Sequence, residues 1–270
     1  MSILFRYKEQ GLALSRTSDT MPDLGHFTMH THTNMEVYCF VRGRGSFYIE
    51  GTEYPLEPGD VLIMQPAESH FIRIDCTQPY ERMVLNISPE YLLYYDPTGY
   101  LLQPFLQRPP GKLNVYKSSE FPQGSFALWQ TMMAEEGDPH VNLLSGMLPL
   151  LNTICHLWQQ RREDPQSDTP ASRIVRYVND HLQENMSLDQ ICARFYMSKS
   201  QLCRLFKRAT GTTLWQYITI KRLAKAQELI TAGGHPTHIY AQCGFNDYST
   251  FYRAYVKTYG TAPGMLESSQ

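Results

Sequence analysis

"SQLCRLFKRATG" at 200–211 and "STFYRAYVKTYG" at 249–260 share a layout though not a sequence. Ser200 matches Ser249, Arg204 matches Arg253, Phe206 matches Tyr255 and Gly211 matches Gly260. In the first copy Leu202, Leu205, Phe206 and Ala209 fall on one helical face, at i, i+3, i+4 and i+7. The opposite face carries Lys199, Ser200, Gln201, Arg204, Lys207 and Arg208. The second copy repeats the division, with Phe251, Ala254 and Tyr255 inward and Tyr248, Ser249, Tyr252, Arg253 and Lys257 outward. One such stretch by itself reads as an ordinary amphipathic core helix; its duplication is what asks for a function.

The residues before each copy supply the answer. Ser198 and Gln201 form a capping-box pattern, and "SLDQICARF" brings its own at Ser187 and Gln190, with "YMS" between the two helices. Helix, tight turn and basic helix make a helix-turn-helix, whose second helix can enter a major groove and present polar side chains to base edges. "THIYAQC", a turn at "GFND" and the second copy repeat that unit. Between them "TLWQYITIKRLAKAQELIT" opens on a Thr213/Gln216 cap. A helix of some 18 residues is a rod of about 27 Å, against about 34 Å between successive major grooves on one face of DNA. Two similar helices at that separation suit two neighbouring grooves.

Charge is divided along the 270 residues. Before position 166 there are 12 basic and 19 acidic residues, a net of −7; from 166 onward there are 12 and 7, a net of +5. The basic half is the one that carries the repeat, as binding to a polyanion requires. No apolar run approaches the roughly 18 residues of a membrane span. The start, "MSILFRYKEQ", holds charges where a signal peptide needs an apolar core. Cys39, Cys76, Cys155, Cys192, Cys203 and Cys243 show no paired spacing and read as small apolar residues in a reducing compartment, so a cytoplasmic location is expected.

"QQRREDPQSDTPAS" at 159–172 is polar and carries two prolines. It divides the chain into a first domain at 1–162, a linker at 163–172 and a second domain at 173–270. Residues 27–87 alternate short apolar runs with turn signals ("EVYCFV" then "RGRG", "VLIMQ" then "PAES"), a pattern for a β-sandwich or barrel. From about residue 125 the pattern is helical. A helix over 138–161 opens on Asp138 and Pro139 and should kink at Pro149. It has two stripes: Val141, Leu144, Leu148, Leu151, Cys155 and Trp158, and beside them Leu143, Met147, Leu150, Ile154 and Leu157. One stripe packs on the β-domain; the other can pack on a second copy, making this the dimerising half, or on the same chain.

Residues 171–267 resemble the DNA-binding domain of the AraC/XylS family of bacterial transcription regulators, most closely in "GFNDYSTFYRAY" and the following "YGTAPGM". The resemblance implies seven helices in two helix-turn-helix subdomains. It places base-reading sites at Ser200, Gln201, Arg204, Tyr248, Ser249, Tyr252 and Arg253, and backbone contacts at Lys207, Arg208 and Lys257, with Lys199 beside them. This chain departs from the family at Val256, where many members have a cation, and at "TAGGHPTH", which puts two glycines after the bridging helix.

In the first half, His30, His32 and Glu36 have one parity and would share a strand face. With His70 they resemble the cupin motif, H-x-H-x3-E and a distant His, which in enzymes of that superfamily holds a transition metal. Glu68 and Ile74 replace the usual glycine and asparagine of the second part. AraC-type regulators commonly carry a cupin-like sensor whose histidines persist without metal. The expectation is therefore an α+β two-domain chain: a cupin-like β-barrel with a helical tail, then an all-α double helix-turn-helix domain. A pocket of His30, His32, Glu36, Tyr38 and His70 would bind a small effector such as a sugar, with Phe40, Tyr48 and Phe71 as further lining candidates. No cofactor is expected. The partners would be operator DNA, a second copy and RNA polymerase, in the manner of an activator. A metal-dependent cupin enzyme with an appended DNA-binding module is the alternative. No nucleophile elbow, P-loop or dinucleotide fingerprint is present.

Overall fold

The computed structural model describes residues 1–122, 124–161 and 168–264. Among these residues nine strands occupy the first half: β1 Ser2–Glu9, β2 Leu12–Asp19, β3 Met35–Arg42, β4 Gly45–Ile49, β5 Thr52–Pro55, β6 Val61–Met64, β7 His70–Ile74, β8 Tyr80–Ile87 and β9 Val115–Tyr116. They form a six-stranded sheet, in the order β1-β2-β8-β3-β6-β9, and a three-stranded sheet, β5-β4-β7. All pairings among the described strands are antiparallel. The expected barrel is thus two open sheets face to face, pinned at one end by a bridge between His30 and His70.

The alternation along β3 explains the layering, because successive side chains leave a strand on opposite faces. Val37 and Cys39 enter a core with Leu143, Met147, Leu150 and Ile154 of a long helix. Tyr38 and Phe40 enter a second core with Phe47, Ile49, Ile72 and Ile74 of the small sheet. A central strand apolar on both faces needs a cover on each side, and here helices cover one and the small sheet the other. The small sheet is itself covered on its outer face. Tyr48 and Phe71 point away from the inter-sheet core and stack at 4.7 Å in a third cluster with Ile174, Val178, Phe206 and Tyr217. These two aromatics, read as candidates for the pocket, are the floor on which the second half sits.

The helices of the first half are α1 Pro89–Tyr95, α2 Gln103–Leu106, α3 Ser125–Met132 and α4 Pro139–Gln160. Asp138 caps α4 through its carboxylate, which accepts from the His140 and Val141 amides. Pro149 does not interrupt the helix, which runs from Pro139 to Gln160 with Pro149 on its exposed side. There water can serve the carbonyl that a proline leaves without a donor. The stripe of Leu143, Met147, Leu150 and Ile154 faces the sheet. Of the other stripe, Leu151 and Cys155 are also buried within the chain, whereas Val141 is 57% exposed and Leu144 and Leu148 are half-buried.

The second half comprises α5 Pro170–Asp180, α6 Leu188–Phe195, α7 Lys199–Thr210, α8 Leu214–Thr231, α9 Pro236–Gln242 and α10 Tyr248–Tyr259. Six helices are present among the described residues, against seven implied by the resemblance. α5 is capped by Thr169 and takes in the last residues of the stretch read as a linker; 163–167 of that stretch lie outside the described residues. Among the described residues, no helix is long and apolar enough to cross a membrane. Leu150, wholly buried between α4 and the large sheet, provides a test of this layering. Leu150→Ala should lower stability by about 2–5 kcal/mol, measured by denaturant unfolding followed through tryptophan fluorescence.

Candidate nucleic-acid interface and effector pocket

Each unit of the repeat is built by local signals that the sequence carries. Ser187, Ser198 and Thr213 each accept from the amide three residues on, and the glutamine there reaches back to the cap amide, closing three capping boxes. Tyr196 makes the turn between α6 and α7 in the left-handed region, at φ 54°. Gly211 and Gly260 end α7 and α10 at φ 75° and 74°, each donating its amide to a carbonyl four residues back. That left-handed stop is easy for glycine and strained for other residues, which is why the two copies share it. The glycines after α8 also act as a helix stop. Gly234 donates to the Leu229 carbonyl at 2.8 Å, and a Cβ there would lie 2.7 Å from the same oxygen.

On α7, Leu202 and Phe206 are fully buried while Ser200, Arg204, Lys207 and Arg208 are exposed. Two of the residues expected to contact DNA are engaged within the chain. Gln201 accepts the Ser198 amide at 3.0 Å as part of the cap, and Lys199 pairs with Asp189 of α6 at 2.7 Å. On α10, Phe251 and Tyr255 are buried and Ser249, Tyr252, Arg253 and Lys257 are exposed. Tyr248 differs from the outward position expected of it: its ring packs on Tyr240 and Phe251 and is half-buried. Asp247, which the sequence reading passed over, caps α10 by accepting from both the amide and the hydroxyl of Thr250, at 2.8 and 2.9 Å.

The second candidate site lies at the end of the two sheets that the His30–His70 bridge joins. His32 Nε2 is 3.2 Å from Glu36 Oε2, and the ring centres of His30 and His32 lie 4.4 and 5.0 Å from that of His70. Each Nδ1 faces a backbone carbonyl: Thr28 for His30, Asn34 for His32 and Glu68 for His70. A carbonyl only accepts, so each Nδ1 carries the proton. His70, buried, therefore holds a bare Nε2 with no partner. Burial takes the His70 imidazole down to about 4. Burial opposes charge on Glu36 too, but the His32 hydrogen bond and the neighbouring imidazoles win and hold it at about 2. Against the same burial, Glu36 raises His32.

His32, Glu36 and His70 bring one donor atom each within 4.8 Å of one another, a set whose chemistry suits a divalent transition ion. His30 is exposed and outside that set. Tyr38, two residues along the β3 face of Glu36, lies in the inter-sheet core, 1% exposed, its hydroxyl 2.7 Å from that of Tyr80 and its ring against Phe47, which stacks on His70. Glu68, which stands where the cupin pattern has glycine, is a structural ion. Its buried carboxylate takes two bonds from Arg108, at 2.8 and 2.5 Å, and one from the Gly111 amide at 2.6 Å. It fixes the 65–70 loop behind the histidines. Nothing in the spacing of Glu68 and Arg108 announces that pair, forty positions apart.

The His70 value sets a direction for pH dependence. The unfolded imidazole takes a proton near 6.5 and the folded one only near 4, so the unfolded state binds more protons between these values. Stability present above pH 6.5 is lost as pH falls toward 4. His70→Gln should flatten the loss of melting temperature across that window, and an unchanged slope would assign the loss to other groups.

Residues 13–151 match the model of the AraC-like ligand binding domain, and residues 191–268 that of a helix-turn-helix domain. The transcriptional activator RhaS of Escherichia fergusonii is 24% identical over 250 residues, covering 88% of this chain and 87% of its own. The arabinose operon regulatory protein of Escherichia coli is 23% identical over 233 residues, covering 83% and 76%. Among solved structures, the DNA-binding domain of AdpA in complex with a target DNA aligns at a TM-score of 0.34 with 26% identity, over 36% of this chain and 87% of that one. ToxT of Vibrio cholerae bound to an unsaturated fatty acid aligns at 0.43 with 13% identity, over 96% and 95%. Two paired helix-turn-helix units and a double-sheet sensor, each matched by its own family model, agree on one conclusion: this chain belongs to the AraC family of transcription regulators, with an N-terminal ligand-binding domain and a C-terminal DNA-binding domain.

Proposed function

We propose that α7 and α10 read two neighbouring major grooves of one operator, and that a small effector binds at His32, Glu36 and His70 to change the response. One observation carries the DNA reading. Two twelve-residue helices with exposed basic faces and identical left-handed glycine stops flank one continuous 18-residue helix, α8. A rod of that length, about 27 Å, holds the two helices at about the separation of adjacent grooves, some 34 Å. Ser200 and Arg204 on α7, and Ser249, Tyr252 and Arg253 on α10, are the base readers in this assignment. Lys207, Arg208 and Lys257 anchor phosphates, while Gln201, Lys199 and Tyr248 hold the reading helices in place until DNA competes for them.

The three cations should fail in different ways. Arg204→Ala should cost about 1–3 kcal/mol and relax base preference at one position, since a guanidinium can bond a guanine edge through two contacts. Lys207→Ala should weaken all sequences alike and lower the salt slope by about one unit. Arg253→Ala should act as Arg204→Ala does, but about 10 base pairs away. Footprints and base-substitution scans decide it, and the assignment fails if Arg204 and Arg253 alter preference at the same base pairs.

Residues 1–162 form the dimerising domain in this reading, through the part of α4 that the fold leaves open. Leu151 is buried in its own chain, which narrows the seam to Val141, Leu144 and Leu148. Val141→Asp with Leu144→Asp should yield monomers by sedimentation, because an unpaired charge in an apolar contact is strongly unfavourable. A folded double variant that still sediments as a dimer would place the contact elsewhere. The domain bounds, a cytoplasmic location and a contact with RNA polymerase follow from the same reading. The relatives are transcription regulators, which favours it over the enzyme alternative. Effector binding without metal predicts a chelator-insensitive response.

A further inference from the structure

The tightest polar contact between the two halves centres on a residue that neither the pocket nor the DNA-reading faces use. Glu50 occupies the turn between β4 and β5 at φ 48° and is 4% exposed. Its Oε1 accepts the Ser69 amide at 2.7 Å and Lys221 Nζ, from α8, at 2.7 Å. Its Oε2 accepts the Tyr217 hydroxyl, also from α8, at 2.6 Å and Asn179 Nδ2, from α5, at 2.7 Å. A buried carboxylate is costly unless such partners surround it. Here three of the four come from the other half of the chain. Although burial opposes its charge, Lys221 beside it holds the carboxyl below the usual range.

The same 67–70 segment faces both sites. On the α8 side, the Ala67 carbonyl accepts Lys221 Nζ at 2.7 Å and the Ser69 amide reaches Glu50. On the pocket side, the Ala67 amide donates to the His32 carbonyl at 2.8 Å, and the His70 amide to the His30 carbonyl at 3.1 Å. Ala67 is held at φ 60°, left-handed like Glu50. Non-glycine residues keep that conformation only where their surroundings impose it. Below the polar contact, Phe71 packs on Gly211, the stop of α7, 3.2 Å from where a Cβ would sit. The docked contact leaves Ser200, Arg204, Lys207 and Arg208 exposed, so it does not act by covering the reading face.

We propose that Glu50, with Tyr217, Lys221 and Asn179, is an interdomain latch that fixes the orientation of the DNA-binding half, and that the 67–70 segment couples it to the His32–Glu36–His70 pocket. The coupling rests on the effector site assigned above; the latch does not. Coupling between two sites is reciprocal. A change confined to α8 must therefore be felt at the pocket, and no effector is needed to see it.

The test uses the full chain with Tyr217→Phe and Lys221→Met, both in the DNA-binding half, Glu50→Gln in the sensor half, and Glu53→Gln, exposed on the same hairpin, as control. Amide hydrogen exchange is read at 67–70 and over the first half of α8, and small-angle scattering reports the overall dimensions. Each latch variant should speed exchange at both places by about tenfold or more, the scale of a lost charge-assisted bond, and enlarge the particle; Glu53→Gln should do neither. Unchanged exchange in α8 and unchanged dimensions in Tyr217→Phe and Lys221→Met would overturn the latch. Faster exchange in α8 with the Ala67 and His70 amides unmoved would overturn the coupling. Operator footprints of the same variants should cover the same base pairs; a footprint that moves would count against the assignment of reading residues, not against the latch.

Discussion

One buried carboxylate organises the relation between the two halves of this protein. Glu50 is surrounded by donors from three elements, two of them on the far side of the domain boundary. The apolar cluster beneath it, Met29, Tyr48 and Phe71 against Ile174, Phe206 and Tyr217, supplies burial without direction. Hydrophobic contact tolerates sliding, whereas four short bonds to one carboxylate tolerate almost none. The cluster brings the halves together, and the carboxylate fixes how they meet.

The layering that presents this contact follows from strands that are apolar on both faces. β3 feeds the helix-covered core with Val37 and Cys39 and the inter-sheet core with Tyr38 and Phe40. The small sheet repeats the arrangement one layer out, with Phe47 and Ile49 inward and Tyr48 outward. Four layers result: helices, large sheet, small sheet and DNA-binding helices. The pocket histidines and the Glu50 turn lie at the same end of the small sheet, joined by the chain from Ala67 to His70. That proximity is what an effector-controlled DNA-binding protein needs, since ligand energy must reach an element with two arrangements.

The sequence alone determined the elements whose signals are local. Capping boxes at Ser187, Ser198 and Thr213, the glycine stops at 211 and 260, and the apolar stripes of α7 and α10 lie within one or two turns of chain. They specify the double helix-turn-helix without any distant contact. The short apolar runs separated by turns over 27–87 likewise made a sheet domain legible, but His30 and His32 precede β3, and only Glu36 of that trio lies on the strand. Only the tertiary structure decided what depends on distant partners. It placed Tyr48 and Phe71 outside the sheets rather than in a pocket, opened the expected barrel into two sheets and turned Tyr248 into an aromatic cluster. It also gave Glu50 and Glu68 their partners: Lys221 lies 171 positions from Glu50, and Arg108 lies 40 from Glu68. The physical reason is the range of the forces. Helix caps and amphipathic periods are satisfied by neighbours in sequence. A buried charge is satisfied by whichever donors the completed fold brings to it.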